Sequence, residues 1–119
     1  MDNKEFSKKF EDRTKKFAIS NIMLSSTLPE TPEGRIILNQ ITKSGTSISA
    51  NYQDANRSRS KADFINRIKI CESEASETQY WLEIIEELGW IDSKKIELIK
   101  DEAAELLAIF TSISKSLKK

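Results

Sequence analysis

Acidic side chains are concentrated between residues 72 and 87 of the chain, where six glutamates fall within sixteen positions. They are Glu72, Glu74, Glu77, Glu83, Glu86 and Glu87. In a helix Glu74 and Glu77 lie one turn apart, as do Glu83 and Glu86, and this spacing suits a carboxylate metal site. Carboxylate metal sites in helical bundles add Glu-x-x-His partners, and the chain contains no histidine. A solvated or interfacial charged face is the stronger interpretation, and we predict no metal and no cofactor.

Nucleophilic catalysis is equally poorly supported. The absence of histidine excludes Ser-His-Asp and Cys-His triads and HExxH zinc sites. The single cysteine, Cys71, falls on an apolar helical stripe and is interpreted as a small buried hydrophobic residue. We therefore predict no catalytic residue, and a protein that is not an enzyme.

The charges of the chain balance, with 19 Lys and Arg against 19 Asp and Glu. This composition argues against a strongly basic nucleic-acid binder. The distribution is uneven, however, because residues 1–28 carry six basic and four acidic side chains, whereas residues 60–91 carry three and seven. A basic patch and charge pairing between helices or subunits both explain this asymmetry, and both alternatives stay open.

The elements that must position these residues are four amphipathic helices. Three glycines and two prolines leave long uninterrupted segments, and apolar residues recur at helical spacing over about 4–28, 32–57, 60–88 and 93–117. The first stripe comprises Phe6, Phe10, Phe17, Ile22, Leu24 and Leu28. Thr31-Pro32 is typical of a helix start, and Gly89 of a helix end.

Short links between these segments predict antiparallel neighbours. The fold class is therefore all-α, an antiparallel up-down-up-down four-helix bundle formed by one domain over residues 1–119. Further apolar residues flank the stripes, namely Ile36, Ile65, Ile70, Ile84, Leu88, Leu98, Leu107 and Ile109. They indicate either a subunit interface or a wide core within one chain.

Small and polar residues interrupt the second helical segment between Lys43 and Tyr52. Ser44 and Gly45 favour close approach of another helix over a phosphate-binding loop, since no strand precedes them and no G-x-x-x-x-G-K pattern is present. Asn51 needs a partner for its amide, and a buried Asn usually fixes register or oligomeric state. Tyr80 and Trp81 are interpreted as core or interface anchors.

The sequence does not suggest a signal peptide or a membrane-spanning segment. The N-terminus is polar and lacks the apolar core of a signal peptide, and no segment approaches the roughly 18 apolar residues of a membrane-spanning helix. A single cysteine also suits a reducing compartment. We expect a soluble, cytoplasmic protein with no membrane partner.

Several ordered motifs resemble one known family, the 23S rRNA intervening-sequence proteins, also called S23-type ribosomal or four-helix-bundle proteins. They are KSGTSISANYQDA over 43–55, RSKADFI over 59–65, EASETQYWLE over 74–83 and FEDRT over 10–14. The resembling positions include Asn51, Tyr52, Arg59, Ser60, Glu74, Glu77, Tyr80 and Trp81, none with a catalytic role in the family. The resemblance covers about residues 10–91.

The resemblance implies a ring-like homopentamer of four-helix bundles without established enzymatic activity. A related branch, the accessory proteins of diversity-generating retroelements, binds nucleic acid and a nucleic-acid-processing enzyme. We therefore expect an oligomeric scaffold or adaptor associated with structured RNA; the alternative is a pure protein-interaction module that docks on a separately encoded enzyme. If RNA is bound, the expected contacts are Lys8, Lys9, Arg13, Lys15, Lys16, Lys43, Arg57 and Arg59. Ser44, Gly45, Asn51, Tyr52, Glu74, Glu77, Tyr80 and Trp81 are expected to form a packing or interface motif.

Overall fold

Four helices account for most of the chain in a computed structural model that describes residues 3–117. They are α1 (Asn3–Ser25), α2 (Pro32–Asn56), α3 (Lys61–Leu88) and α4 (Ser93–Leu117). The all-α four-helix bundle predicted from the sequence is confirmed. Helix α1 ends three residues before the expected position 28, and the chain continues as a turn in which the N–H groups of Thr27 and Leu28 donate to the carbonyls of Leu24 and Ser25.

Local sequence signals set the other helix ends. Thr31 caps α2 by accepting a hydrogen bond from the backbone N–H of Gly34 at 3.0 Å, and Pro32 follows at the first helical position. Ser60 caps α3 in the same way through the N–H of Asp63 at 3.1 Å. Gly89 ends α3 with a φ of 68°, a left-handed conformation that glycine adopts without strain.

The helices run antiparallel in the cyclic order α1–α2–α3–α4. The bundle measures 44 × 24 × 22 Å along its three principal axes. Within residues 3–117 the diagonal pairs, α1 with α3 and α2 with α4, make no close backbone contact. Helix α2 packs closely against both α1 and α3, whereas α1 and α4 approach each other closely at far fewer points. The α1–α4 contact is thus the most open side of the bundle.

The core contains the predicted stripes of α3 and most of those of the other helices. Ile68, Cys71, Ala75, Thr78, Leu82 and Ile85 of α3 are all buried. The spacing of the α1 stripe predicts Ile22 on the core face, and this prediction is wrong, since Ile22 is 46% exposed. Asn21 is buried in its place, because Gly45 of α2 has no side chain and leaves room for the Asn21 amide.

The extra apolar residues do not all join a wide core. Ile65, Ile84, Leu107 and Ile109 are half-buried, but Ile36, Ile70, Leu88 and Leu98 are exposed. Isolated exposed apolar residues are common on protein surfaces, whereas grouped ones indicate interaction sites. The positions of these residues on the bundle therefore bear directly on function.

Candidate nucleic-acid interface

Three arginines meet at the turn between α2 and α3. Arg57, Arg59 and Arg67 line one surface depression of about 650 Å³, together with Asp54 and Asp63. Arg57 and Arg59 are exposed. Guanidinium groups present several donors in a fixed plane that matches phosphate oxygens. We call these three residues the arginine cluster.

Arg67 is held in place by α2. Its Nη1 donates to the side-chain oxygen of Asn51 at 2.9 Å and lies 3.6 Å from a carboxylate oxygen of Asp54. Asn51 in turn donates from its amide nitrogen to the backbone oxygen of Ser47 at 2.8 Å. The Asn51 amide is thus satisfied at both ends, and it connects α2 to α3.

Arg67 was missed as a candidate by the sequence reasoning. Its place directly before the core residue Ile68 puts it at the edge of the apolar stripe, within reach of a neighbouring helix. The sequence does not show which neighbour that is. The spatial grouping with Arg57 and Arg59 follows only from the antiparallel turn at residues 57–60.

The lysines of α1 form a second group. Lys8, Lys9 and Lys15 line a shallow depression of about 500 Å³ among acidic residues of the same helix and Gln53 of α2. Lys9 pairs with Glu5 at 3.2 Å, and Lys16 pairs with Asp12 at 3.3 Å. Exposed pairs of this kind are weak, so these lysines stay accessible to a ligand, but their positive charge is locally compensated.

Arg13, another of the expected nucleic-acid residues, is paired with acidic residues of α4. It donates two hydrogen bonds to the Glu102 carboxylate, from Nε at 2.8 Å and from Nη2 at 2.7 Å, and lies 3.4 Å from Glu105. The hydrogen bond to Glu102 raises the pKa of Arg13 above its ordinary value. Arg13 therefore joins α1 to α4.

The eight expected nucleic-acid residues thus do not form one surface. Lys43 is exposed on α2, fourteen residues before Arg57, or about 21 Å along the helix. The basic α1 and the acidic α3 are diagonal and make no close backbone contact within residues 3–117. Arg13 of α1 pairs with Glu102 and Glu105 of α4.

The small residues of α2 serve close packing. The Thr78 hydroxyl donates to the Ser44 hydroxyl at 2.9 Å in the buried α2–α3 contact. A Cβ at Gly45 would lie 2.9 Å from Cγ of Asn21 in α1. Ser44 therefore lies at a close contact with α3, and Gly45 lies at a close contact with α1.

Two buried titratable groups lie near these contacts. Burial raises the pKa of the Tyr52 phenol, which packs against the rings of Phe10 and Phe110. Burial also raises the pKa of the Cys71 thiol to about 12, and its sulfur lies 3.6 Å from the Ile48 carbonyl oxygen. A protonated, buried thiol is a poor nucleophile.

The remaining motif residues of α3 lie towards the surface. Glu77 and Tyr80 are exposed, Glu74 and Trp81 are half-buried, and the rings of Tyr80 and Trp81 meet edge to face at 4.9 Å. Among residues 3–117, no group of three or more His, Cys, Asp or Glu side chains is arranged to hold a metal ion. Two glutamates of α3 contact α4 instead, since Glu86 accepts a hydrogen bond from Lys100 at 2.6 Å and Glu72 accepts one from the Thr111 hydroxyl at 2.7 Å.

A concave apolar surface lies where α1 and α4 separate. We call it the α1–α4 groove; it has a volume of about 630 Å³ and is lined by Ser20, Met23, Leu24, Thr27, Trp90, Ile91, Asp92, Lys95, Leu98 and Ile99. Met23 and Leu98 are 65% and 71% exposed. The sequence reasoning named Leu98 as a flanking residue and missed Met23, since the pairing of α1 with α4 is not apparent from either helix alone.

None of the helices in the described part of the chain combines the length and the apolar character needed to span a bilayer. Comparison with proteins of curated function finds no match. The chain is similar to a solved structure of a protein of unknown function from the S23 ribosomal protein family of Bacteroides thetaiotaomicron VPI-5482. That protein is 35% identical over 88% of this chain and 97% of the other, with a TM-score of 0.82.

The sequence profile of the 23S rRNA-intervening sequence proteins matches residues 8–112. This range includes the whole of α2 and α3 and most of α1 and α4. The matched segment also contains the arginine cluster and the small residues of α2. The chain therefore belongs to the 23S rRNA-intervening sequence protein family.

Proposed function

We propose that this protein is a non-enzymatic, oligomeric helical bundle that associates with structured RNA in the cytoplasm as a scaffold or adaptor. The observation that carries the proposal is the arginine cluster, where Arg57, Arg59 and Arg67 line one depression at the end of the bundle. The family name connects these proteins with 23S rRNA. The homopentamer that the resemblance implies is part of the proposal.

Phosphate contacts are the chemistry that the arginine cluster supports best. Arg57 and Arg59 are exposed, and Arg67 is oriented by Asn51 through a 2.9 Å hydrogen bond. Asp54 and Asp63 on the same depression limit its positive potential, which favours a few defined phosphate contacts over strong non-specific attraction. A ring of subunits would repeat the cluster in every copy and so add contacts to one long RNA.

Salt dependence of binding tests this proposal. We expect the affinity for a structured rRNA fragment to fall steeply with salt, with a slope of about −0.7 for each phosphate contacted on single strands. The variant Arg57→Gln/Arg59→Gln should lower that slope by about 1.4. The matched control Arg35→Gln/Lys94→Gln removes two exposed charges at the opposite end of the bundle and should retain the wild-type slope.

Three outcomes would contradict the RNA proposal: no binding at low salt, an affinity that does not change with salt, or an equal loss in the control variant. The α1–α4 groove favours the second candidate, a protein-interaction module, because exposed apolar surface suits a protein better than a phosphate backbone. Co-purification of a partner protein that survives nuclease and high salt would support that candidate.

A further inference from the structure

Two arginines of the bundle are held in place by contacts between helices, and the two contacts differ. Arg13 of α1 donates to the Glu102 carboxylate of α4 from Nε at 2.8 Å and from Nη2 at 2.7 Å. Arg67 of α3 donates from Nη1 to the amide oxygen of Asn51 in α2 at 2.9 Å. The side chains of Arg13 and Arg67 are 36% and 45% exposed, so both guanidinium groups are accessible from solvent.

The atoms used in each contact decide what the arginine can still bind. The edge of a guanidinium that carries Nε and Nη2 presents two parallel donors, which match two oxygens of a carboxylate or of a phosphate. Glu102 occupies this edge of Arg13, and Glu105 lies 3.4 Å from the same Nη2. Arg67 is held through Nη1, and within residues 3–117 no hydrogen bond engages its Nε or Nη2. The two-donor edge of Arg67 is therefore available to a ligand.

The two contacts also leave different charges on the guanidinium groups. The carboxylate of Glu102 compensates the positive charge of Arg13. Asn51 carries no charge, so it orients Arg67 without cancelling the positive charge that attracts a phosphate. Asp54 is exposed and lies 3.6 Å from Nη1 of Arg67, which is beyond hydrogen-bond distance, so solvent screens this pair.

Asn51 can orient Arg67 because its own amide is fixed. Its Nδ2 donates to the backbone oxygen of Ser47, one turn earlier in α2, at 2.8 Å. This bond leaves Oδ1 as the acceptor that faces α3. Arg67 directly precedes Ile68, which is fully buried, so the core holds the backbone of α3 at this point. The hydrogen bond between Asn51 and Arg67 therefore connects two firmly packed helices.

The other two members of the arginine cluster are not held in this way. Nη1 of Arg57 lies 3.5 Å from the backbone oxygen of Gln53, four residues earlier in the chain, at the limit of a hydrogen bond. Arg59 makes no side-chain hydrogen bond or ion pair within residues 3–117. Both side chains must be ordered when they bind a phosphate, whereas Arg67 is ordered beforehand.

We propose that Arg67 binds one backbone phosphate through two hydrogen bonds, from Nε and Nη2, and that Asn51 is the positioning residue that presents this edge. The inference rests on the proposed RNA binding and names the group that is bound, the two non-bridging oxygens of a phosphodiester. Arg57 and Arg59 add charge and further contacts around this point. Asn51 strengthens binding through Arg67 and does not contact the RNA.

A double-mutant cycle on affinity for the structured rRNA fragment tests the role of Asn51. Asn51→Leu should weaken binding by about 2- to 12-fold for each cluster contacted, because Arg67 must then be ordered on binding, and should leave the salt slope unchanged. Arg67→Gln should lower the slope by about 0.7 for each cluster contacted. Once Arg67→Gln is present, Asn51→Leu should have no further effect, whereas a merely structural role would weaken binding in both backgrounds.

Matched controls separate this role from general effects on the fold. Asn56→Leu removes another hydrogen bond between helices near the same turn, from Nδ2 to Glu11 at 2.8 Å, and should retain wild-type affinity. Arg67→Lys should weaken binding, because an ammonium group lacks the planar two-donor edge. Arg13→Lys should not weaken it, since Glu102 already occupies that edge of Arg13. Circular dichroism checks that each variant stays helical.

Three results would overturn the inference about Asn51 and Arg67. They are wild-type affinity in Asn51→Leu, an equal loss from Asn51→Leu with and without Arg67, and wild-type affinity in Arg67→Lys. If the wild type binds RNA with the expected salt slope, each of these results leaves the RNA proposal in place and refutes only the positioning role. A wild type that does not bind RNA would refute both.

Discussion

The contacts that α2 makes with α1 and α3 use different kinds of side chain from the contact between α1 and α4. Helix α2 approaches its neighbours through small residues, with Gly45 against Asn21 of α1 and Ser44 bonded to Thr78 of α3. Beyond the buried rings of Phe10 and Phe110, helices α1 and α4 are joined by long charged side chains, Arg13 and Glu102. Small side chains let two helix backbones approach closely, so no space for a ligand is left between them. Long side chains connect helices that lie further apart, and the α1–α4 groove lies beside such a connection.

The α1–α4 contact also differs between its two ends. Near the N-terminus of α1 it is closed by aromatic rings, with the Phe10 and Phe110 centroids 5.2 Å apart and Tyr52 5.8 Å from Phe110. Towards the other end it opens into the groove at Met23 and Leu98. One end of this helix pair therefore supplies buried packing that stabilises the bundle, and the other end supplies exposed apolar surface.

The largest expected effect comes from the closed end. Phe110→Ala removes a fully buried ring that contacts Phe10 and Tyr52, and should lower the free energy of unfolding by about 3–5 kcal/mol. Leu98→Ala at the open end should change it by less than about 0.5 kcal/mol. Urea unfolding in dilute protein measures both without a contribution from subunit association. Equal effects would show that the open end is part of the folding core.

A smaller effect tests the close approach of α1 to α2. Gly45→Leu forces a side chain against Asn21, whose Cγ would lie 2.9 Å from the first added carbon, and should cost about 1–3 kcal/mol. The control Asn39→Leu adds the same side chain at an exposed position of α2 and should be nearly neutral. If Gly45→Leu is tolerated as well as the control, α1 and α2 are less tightly packed than these distances indicate.

Much of this fold was predictable because its signals are local. The strict spacing from Ile68 to Ile85 predicts α3, and Thr31-Pro32, Ser60 and Gly89 predict helix ends. Ile22 was misplaced because helical spacing alone favours an apolar residue over its polar neighbour. The choice of Asn21 depends on Gly45, which lies on another helix.

The candidate site was harder to predict because it depends on which helices touch. Arg57 and Arg59 are adjacent to the turn and were named from the sequence, but their grouping with Arg67 needs the register that Asn51 sets. Arg13 has the residue type and helical face of a phosphate ligand. Only the position of Glu102, 89 residues later, shows that its guanidinium is already paired.

The pH dependence of stability reports on the α2–α3 contact. Burial raises the pKa of Cys71 from an ordinary value of 9.0 to about 12, so the unfolded chain releases this proton at lower pH than the folded one. The stabilising contribution is complete below pH 9 and is lost as pH rises towards 12, at up to about 1.4 kcal/mol per pH unit. Cys71→Ala should show a shallower loss between pH 9 and 10, measured by urea unfolding. An unchanged slope in this variant would contradict burial of the thiol.

The smallest expected effect comes from the ion pair that bridges α1 and α4. Arg13 and Glu102 side chains are 36% and 30% exposed, so solvent screens a pair whose geometry is otherwise favourable. A double-mutant cycle with Arg13→Gln and Glu102→Gln should give a coupling of about 0.5–1 kcal/mol that decreases with salt. The same cycle on Lys9 and Glu5 should give only about 0.3 kcal/mol, because that pair is more exposed and lies within one helix.

A coupling well above 1 kcal/mol for Arg13 and Glu102 would show that the charged contact between α1 and α4 is at least as strong as the small-residue contacts of α2. The bridge would then hold α1 and α4 together as firmly as the buried Ser44–Thr78 hydrogen bond holds α2 and α3, for which about 1 kcal/mol is expected. A weak, salt-sensitive coupling instead leaves α1 and α4 free to adjust their separation at the groove. That freedom is what the groove needs if it is to accommodate the apolar side chains of a binding partner.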